Sequence, residues 1–320
     1  MRQTDHFLKT ASIMILLWLL TACHENAILL EPNVYYAPQE RFIQSLPEEF
    51  GQLNTDELRT EWGKEMRIGN TFAKELDLYR AITSFKRALV LIPSNEKERR
   101  LQIEYSLIFC YYLGNHYKDV VEIFESSALL YVPDTFPGFR NLMLILYDSY
   151  TQIGECERAN TILELIENYE EATAQNLRLS TAITQGELPY IQALSEDSNQ
   201  SEVKEFLSCY HMGSKSVRGA QTLNALLPGA GYYYVGQKKS ALTSLMLNAL
   251  FTAAAVHFFD EGNIAAGIIT LSFEAGWYIG GINGAGLAAK AYNESLYNES
   301  ARNVMMKQRL FPVLMLQHSF

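Results

Sequence analysis

The fold of this chain is indicated most clearly by one stretch of its sequence, Gly69-Asn-Thr-Phe-Ala-Lys-Glu-Leu-Asp-Leu-Tyr-Arg-Ala-Ile-Thr-Ser-Phe-Lys-Arg-Ala-Leu-Val-Leu-Ile-Pro93. Its apolar and small residues recur at spacings of three and four, which is typical of the buried face of an α-helix. The same pattern runs from Glu61 to about Glu196. Glycine and proline interrupt it and predict where successive helices end: Pro93, Gly114, Pro133, Gly154 and Gly186. The sequence therefore predicts an all-α array of short helices.

The quoted stretch resembles a tetratricopeptide repeat (TPR), in which two antiparallel helices, A and B, form one unit. The resemblance covers about thirty residues and lacks only the early tryptophan-type position, which here is Glu65. It implies that small residues let the two helices approach closely, that aromatic rings fill the space beside them, and that a proline stops helix B. The matching positions are Gly69, Phe72, Ala81, Ile82, Phe85, Ala88, Leu89, Leu91 and Pro93.

Two further units follow in register. The second matches the pattern at Gly114, Tyr117, Val120, Val121, Phe124 and Pro133, and the third at Leu146, Tyr150, Gly154 and Ala159, departing from it at Leu163 and Ile166. Ala81, Val120 and Ala159 are 39 residues apart in turn, longer than the usual repeat of about 34, so extended connecting loops are expected. A fourth helical pair, turning at Gly186, is expected to cap the array, with Leu207 and Tyr210 beyond it.

The N-terminus has the features of a signal peptide. Arg2 and Lys9 precede an apolar stretch over residues 11–20, and the small pair Thr21-Ala22 leads into Cys23. About ten apolar residues are too few to cross a bilayer core, which takes roughly twenty, so a cleavable leader is expected. Leu20-Thr21-Ala22-Cys23 resembles the lipobox of bacterial lipoproteins, which implies a covalent lipid on Cys23 and no other cofactor. The alternative is an ordinary signal sequence with an incidental cysteine.

Charge divides the chain near residue 211. Residues 24–210 hold 30 acidic against 16 basic side chains, a net charge of −14, whereas residues 211–320 hold 5 against 8, a net charge of +3. Because nucleic-acid binding needs a basic footprint, nucleic acid is not an expected partner of the acidic half. We divide the chain into a leader (1–22), a tether (23–58), the repeats (59–210), an apolar region (215–295) and a C-terminal tail (296–320).

The apolar region predicts a helical hairpin. Ser240–Phe259 is twenty residues without a charge, about 30 Å as a helix and long enough for a bilayer core. A second apolar run, Asn263–Ala289, contains a single charge, Glu274. The short polar link at residues 260–262 favours an antiparallel arrangement of the two runs. The predicted fold class is thus a TPR-like α-solenoid followed by a glycine-rich apolar helical hairpin.

Small residues recur every fourth position in the second run and lie on one helix face: Ser272, Gly276, Gly280, Gly284 and Ala288. Such a stripe lets helices pack closely inside lipid. The partner helix lies either within the hairpin or in another copy of the chain, which implies possible self-association.

The preceding Leu227-Pro-Gly-Ala-Gly-Tyr-Tyr-Tyr-Val-Gly-Gln237 resembles the opening of small glycine-rich bacterial membrane modules, and Lys238 and Lys239 follow it.

Glu274 points away from the stripe and needs its own partner. If the hairpin folds symmetrically about Asp260 and Glu261, Glu274 lies level with Asn248, which makes these two a candidate intramembrane polar pair. Acidic groups at membrane depth mark functional sites by default. The alternative is a structural role, in which Asn248 or the backbone satisfies the acid.

The orientation of the hairpin is left open by its charges. A lipoprotein places the basic flanks of the hairpin outside the cytoplasm and its acidic turn inside, opposite to the positive-inside preference. Three arrangements remain: a hairpin confined to one leaflet, a position in another membrane, or a buried soluble hairpin.

No constellation of catalytic or metal-binding residues is apparent in the sequence. The histidines are dispersed, and Cys110, Cys156 and Cys209 show no metal-binding spacing. Cys110 and Cys156 fall in apolar helical surroundings, which predicts packed thiols.

We therefore expect a protein that is not an enzyme: a lipid-anchored scaffold of the bacterial cell envelope, facing the periplasm, that binds protein partners through the concave groove of its repeats. Lipoproteins with TPR arrays resemble assembly factors for outer-membrane proteins. Whether the anchor lies in the inner or the outer membrane stays open. The alternative function is a membrane-embedded transport or lipid-handling subunit that uses Glu274.

Overall fold

The computed structural model describes residues 30–34, 40–197 and 200–320. The leader and Cys23 lie outside these described residues. Within them the chain is all-α, as predicted, and the described residues form no strand beyond one isolated parallel bridge between Glu48 and Ser319.

Helices α1 to α10 follow one another through the first part of the chain. Two short helices precede four successive helical pairs. Their bounds are α1 Glu40–Ser45, α2 Thr55–Arg59, α3 Glu61–Lys74, α4 Leu78–Leu91, α5 Lys97–Leu113, α6 Tyr117–Ser126, α7 Phe139–Ile153, α8 Cys156–Tyr169, α9 Glu171–Gln185 and α10 Leu188–Asp197.

The remaining elements include the two longest helices of the described chain. They are α11 Ser201–Gly213, α12 Val217–Leu226, α13 Ala230–Tyr234, α14 Lys238–Asp260 and α15 Ile264–Lys307, with single 3₁₀ turns at Ala128–Tyr131 and Pro312–Met315. Two compact units can be distinguished. The repeat unit comprises Asn33–Cys209 and Asn298–Phe320, and the hairpin unit comprises Tyr210–Tyr297 with the described residues before Asn33.

Local sequence signals explain where the repeat helices begin and end. Asn54 caps α2 in a reciprocal capping box with Glu57. Gly154 and Gly186 end α7 and α9 in the left-handed conformation, with φ of 81° and 73°, which glycine adopts without steric cost. Helix α4 ends at Leu91, before Pro93. The predicted breaks at these positions are confirmed.

Neighbouring helices of the repeat unit pack closely in pairs. A methyl group built at Gly69 of α3 would lie 2.7 Å from the ring of Phe85 in α4, so only glycine permits this approach. Ala81, Phe85 and Ala88 are fully buried, and Val120 fills the corresponding position of the next pair. Between pairs, the hydroxyl of Tyr112 donates a hydrogen bond to buried Asp148 at 2.7 Å. The result is a solenoid-like stack of helical pairs.

The hairpin unit is built around glycine as well. Gly229 has a φ of 94°, and at Gly231 an added methyl would collide with the backbone of Ala220 and the side chain of Ala285.

Among the described helices, α14 is long and apolar enough to cross a membrane by length and composition alone, with a mean hydropathy of 1.6 and 11% of its most apolar window buried.

The two repeat cysteines differ in their environment. Cys110 is fully buried, as predicted. The prediction of a packed thiol at Cys156 is wrong, since this side chain is exposed. Cys156 is the first residue of α8, where the chain has just left a turn and has no preceding helical turn to pack against.

Candidate functional site

The residues that carry the TPR resemblance lie mainly between helices. Phe72 and Tyr117 are half-buried, and Gly154 and Pro93 are exposed. The other packing residues are buried: Gly69, Ala81, Phe85, Ala88, Phe124, Tyr150 and Ala159. They position the helices and leave the surface of the array to other side chains.

That surface is covered by the C-terminal segment of the chain, residues 310–320. This segment contacts the first helices of the second and third pairs, α5 and α7. Several of its side chains are buried: Leu310, Phe311, Val313, Leu316 and Ser319. We call the surface that it contacts the groove. The side chains used below to describe the groove are Asn70, Lys74, Gln102, Tyr105, Phe109, Arg140 and Asn141.

The groove binds the main chain of the segment. The amide of Asn141 donates to the carbonyl oxygen of His318 at 3.0 Å and accepts from the backbone N–H of Gln317 at 3.2 Å. Arg140 donates to the carbonyl oxygen of Met315 at 2.8 Å. Asn141 is 1% exposed, so these bonds are shielded from water. Contacts of this kind recognise an extended chain whatever side chains it carries.

A second wall of the groove comes from the segment before α2. The backbone N–H of Ser319 donates to the carbonyl oxygen of Pro47 at 2.8 Å, and the N–H of Glu49 donates to the carbonyl oxygen of Ser319 at 3.4 Å. These two bonds form the isolated parallel bridge. Residues 47–49 therefore add a strand-like edge to a groove that is otherwise helical.

Aromatic rings enclose the end of the bound segment. Phe320 stacks on Phe109 with ring centroids 4.6 Å apart. Beside them, Phe50 packs edge-on against Tyr105 at 5.3 Å and lies 5.5 Å from Phe136. The rings of Tyr105 and Phe109 belong to an aromatic run in α5 whose members are buried, and Phe109 joins the core to the groove.

A buried acid lies under the segment. Glu49 Oε2 is 2.6 Å from His318 Nδ1, and the side chain of Glu49 is 8% exposed. Burial raises the pKa of Glu49 to about 7. At 2.6 Å, Glu49 Oε2 and His318 Nδ1 are within hydrogen-bonding distance.

The groove continues past Phe320. A cavity of about 230 Å³ lies beside this ring, lined on α3 by Arg67, Asn70, Thr71 and Lys74 and on α5 by Gln102. Its α3 wall is polar and basic, in contrast to the aromatic surroundings of Phe320. The groove thus offers an aromatic site and, next to it, a polar one.

The hairpin unit contains a separate cleft between α14 and α15, with a volume of about 830 Å³. It is lined by Pro228, Leu245, Asn248, Ala249, Thr252, Ala253, Leu271, Glu274, Ala275, Tyr278, Ile279, Ile282 and Asn283. We call it the hairpin cleft. The two members of the predicted polar pair, Asn248 and Glu274, both face it and are 6% and 8% exposed.

Asn248 and Glu274 each form a hydrogen bond with a group other than the predicted partner. The side chain of Thr252 bonds to the Glu274 carboxyl group, and the amide of Asn248 donates to the carbonyl oxygen of Ser244 at 2.7 Å. Asn248 Oδ1 and Glu274 Oε2 are buried and have no hydrogen-bond partner among the residues that the structure describes.

The glycine stripe of α15 is covered at one end only. The hydroxyl of Tyr232 lies against Gly284, whereas a methyl group added at Gly276 or Gly280 would meet no atom of the described chain within 4 Å. The stripe therefore makes close contact within the hairpin unit at Gly284.

Comparison with models of protein families, with curated proteins and with solved structures finds no match to this chain. Within the described part of the chain, no group of three or more His, Cys, Asp or Glu side chains is placed to hold a metal ion. The groove and the hairpin cleft are two places in the described chain where side chains converge on a space that a partner or ligand can enter.

Sequence reasoning missed the groove residues that contact the tail. Asn141 lies in an apolar helix, and the pattern of α7 gives no sign that its amide binds a main chain. The apolar residues at 310–316, after the charged end of α15, were the available signal that the C-terminal segment is buried against another part of the chain. Nothing local to them identified the repeats as the surface.

Proposed function

We propose that this chain is a membrane-anchored scaffold of the bacterial cell envelope whose repeat groove holds an extended segment of a protein partner. The observation that carries the proposal is that Asn141 and Arg140 bond to the main chain of residues 315–318. A surface that recognises backbone groups accepts other extended segments of suitable length. The C-terminal segment is thus a model, within the same chain, for how a partner is held.

A TPR-like architecture supports this function. The close approach of Gly69 to Phe85 and the burial of Ala81 and Ala88 are what the resemblance implies for one unit. In such arrays the first helix of each pair lines the concave face. Contacts to the C-terminal segment come from α5 and α7, the first helices of two successive pairs, and α3, the first helix of the preceding pair, lines the adjoining cavity.

Capture requires no covalent chemistry. A partner segment either replaces residues 310–320 or enters the polar cavity beside Phe320, where Arg67 favours an acidic group and Lys74 is paired with Glu48. The aromatic pocket around Phe109 favours an apolar or aromatic anchor. We therefore propose that partners combine an extended backbone, one aromatic anchor and an adjoining acidic residue.

Attachment to a membrane is supported by the hairpin unit. Glu31, eight residues after Cys23 in the sequence, pairs with Lys290 of α15 at 3.2 Å. Large apolar side chains of α14 and α15 are exposed, among them Leu250, Phe273 and Trp277. An exposed apolar surface of this kind is suited to lipid contact. We propose that a lipid on Cys23 and the hairpin engage the same membrane.

Site-specific photocrosslinking tests the capture. A photoreactive amino acid at Asn70, in the groove, is expected to crosslink a protein partner in intact cells. The same residue at Tyr79, 83% exposed on α4, is the matched control and is expected to give no such product. Charge reversal at Arg67 and Lys74 is expected to abolish the Asn70 product. Equal products at both positions would contradict the proposal.

Labelled palmitate tests the anchor. Incorporation of label is expected in the wild-type chain and is expected to be lost in Cys23→Ala, together with the mature form of the chain in the membrane fraction. Finding the wild-type chain unlabelled, with its leader attached, would rule out lipid anchoring and leave the groove function to be judged by crosslinking alone.

A further inference from the structure

The hairpin cleft has the size and lining of a ligand site. Its volume of about 830 Å³ falls within the range of about 300–1,000 Å³ that is usual for pockets holding small molecules. Its walls are mainly Leu, Ile and Ala side chains from α14 and α15. Polar groups are few, and Asn248, Thr252 and Glu274 are grouped along one part of the wall.

Two of these polar groups are incompletely satisfied. Asn248 and Glu274 are more than nine-tenths buried, and one oxygen of each has no partner in the described chain. Burying an oxygen without a hydrogen bond is unfavourable, and proteins rarely leave one so without a reason. Asn248 Oδ1 is an acceptor, and so is the carboxylate oxygen of ionised Glu274. The missing group is therefore a hydrogen-bond donor.

The two acceptors line the same cleft. Thr252, which bonds to Glu274, lies one helical turn from Asn248, a rise of about 6 Å along α14. A carboxylate in an apolar cleft also favours a positive charge nearby. A primary ammonium group supplies both the charge and three N–H donors. The apolar walls match a hydrocarbon chain.

We propose that the hairpin cleft binds an amphipathic molecule with a hydrocarbon chain and a primary ammonium head, the head contacting Glu274 and Asn248 and the chain lying along the walls of α14 and α15. This site goes beyond the scaffold function and does not depend on the groove. The glycine stripe takes no part, because Gly276 and Gly280 do not line the cleft.

Dodecylamine is a suitable probe. The full chain, purified in a nonionic detergent, is labelled with a photoreactive long-chain primary amine, and competitors are added. Dodecylamine is expected to compete about tenfold better than dodecyltrimethylammonium, which keeps the charge and has no N–H donor. Dodecanoate, of opposite charge, and hexylamine, with a short chain, are expected to compete poorly. The label is expected on residues lining the cleft.

Variants separate the two acceptors from the general apolar surface. Glu274→Gln keeps the shape of the side chain and is expected to weaken dodecylamine binding about tenfold, and Asn248→Leu is expected to weaken it as well. Glu261→Gln removes a charge in the hairpin turn, where the side chain is 59% exposed, and is expected to leave binding unchanged. Ala249→Phe fills the cleft and is expected to abolish labelling there.

Several results would overturn the proposal. Equal competition by dodecylamine, dodecyltrimethylammonium and dodecanoate would show partition into apolar surface only. Hexylamine matching dodecylamine would show a soluble amine as the ligand. Unchanged binding in Glu274→Gln and Asn248→Leu, with helical content equal to wild type, would exclude the acceptors. Crosslinking at Asn70 is expected to persist in Glu274→Gln, so failure at the cleft is distinguishable from failure at the groove.

Discussion

Phe320 stacks on Phe109, with ring centroids 4.6 Å apart and ring planes at 26°. Phe109 is a fully buried core residue of α5, and Phe320 is the last residue of the sequence. The C-terminal segment is therefore part of the folded repeat unit and at the same time occupies the surface that we propose for partners. Any partner that uses the same contacts must compete with this segment.

Replacing Phe320 with alanine tests the aromatic anchor. Loss of a half-buried, stacked ring is expected to lower the free energy of unfolding by about 2 kcal/mol. Hydrogen exchange at the backbone of residues 315–319 is expected to accelerate because the segment detaches more often. Denaturation in urea and exchange measurements check both effects. Tyr131→Ala, at a side chain 84% exposed, is the control and is expected to change neither.

Replacing Asn141 with leucine tests the main-chain recognition. Leucine has a similar volume but leaves the N–H of Gln317 and the carbonyl oxygen of His318 without partners. We expect a loss of about 2 kcal/mol and faster exchange at Gln317. Asn303→Leu, at an exposed position of α15, is the matched control. If exchange at Gln317 stays as slow as in the wild type, the hydrogen bonds of Asn141 do not hold the segment.

The stability of the repeat unit is expected to depend on pH through Glu49. Its pKa in the folded chain, about 7, lies above the ordinary value of 4.5, so the folded state binds this proton more tightly than the unfolded state. The resulting stabilisation is fully present below pH 4.5 and is lost as pH rises through 7. Above that pH an ionised carboxylate is left buried beside His318.

Urea denaturation between pH 4.5 and 7.5 measures this dependence. The free energy of unfolding of the wild type is expected to fall over this range relative to Glu49→Gln, which does not titrate. Glu75→Gln, at an exposed position, is expected to follow the wild type. A wild type whose curve runs parallel to that of Glu49→Gln would show that the burial of Glu49 does not control stability.

Two glycine substitutions test the close helix approach. Gly69→Ala places a methyl group 2.7 Å from the ring of Phe85 and is expected to cost about 1–3 kcal/mol. Gly280→Ala meets no atom of the described chain within 4 Å and is expected to be neutral or to stabilise α15 by up to about 1 kcal/mol. Thermal or urea denaturation of both variants in the same detergent checks the difference. Equal effects would mean that α3 and α4 are not in close contact at Gly69.

Much of the helical architecture was predictable because its signals are local. Gly154 and Gly186 end helices through a backbone conformation that each residue adopts by itself. Cys156 was misjudged for a related reason, since its apolar neighbours in sequence do not reveal that the first residue of α8 faces solvent. Periodicity describes the face of a continuing helix and is least informative in its first turn.

The partner of Glu274 shows a second limit. Counting back symmetrically from the turn pointed to Asn248, whereas the hydrogen bond goes to Thr252, one turn nearer the turn of the hairpin. The register of two helices depends on how side chains pack along them, as where Phe259 covers Gly267 beside the turn. A local sequence pattern does not specify such packing.

The helices, their ends and the small residues that let them pair can be predicted from the sequence, because they depend on neighbours within a few positions. Three relationships became visible in the folded chain: Phe320 stacks on Phe109, Asn141 binds the main chain near His318, and two acceptors face one cleft. These relationships join residues far apart in the chain, and their geometry arises from the packing of whole helices. No local pattern of residue types specifies that packing.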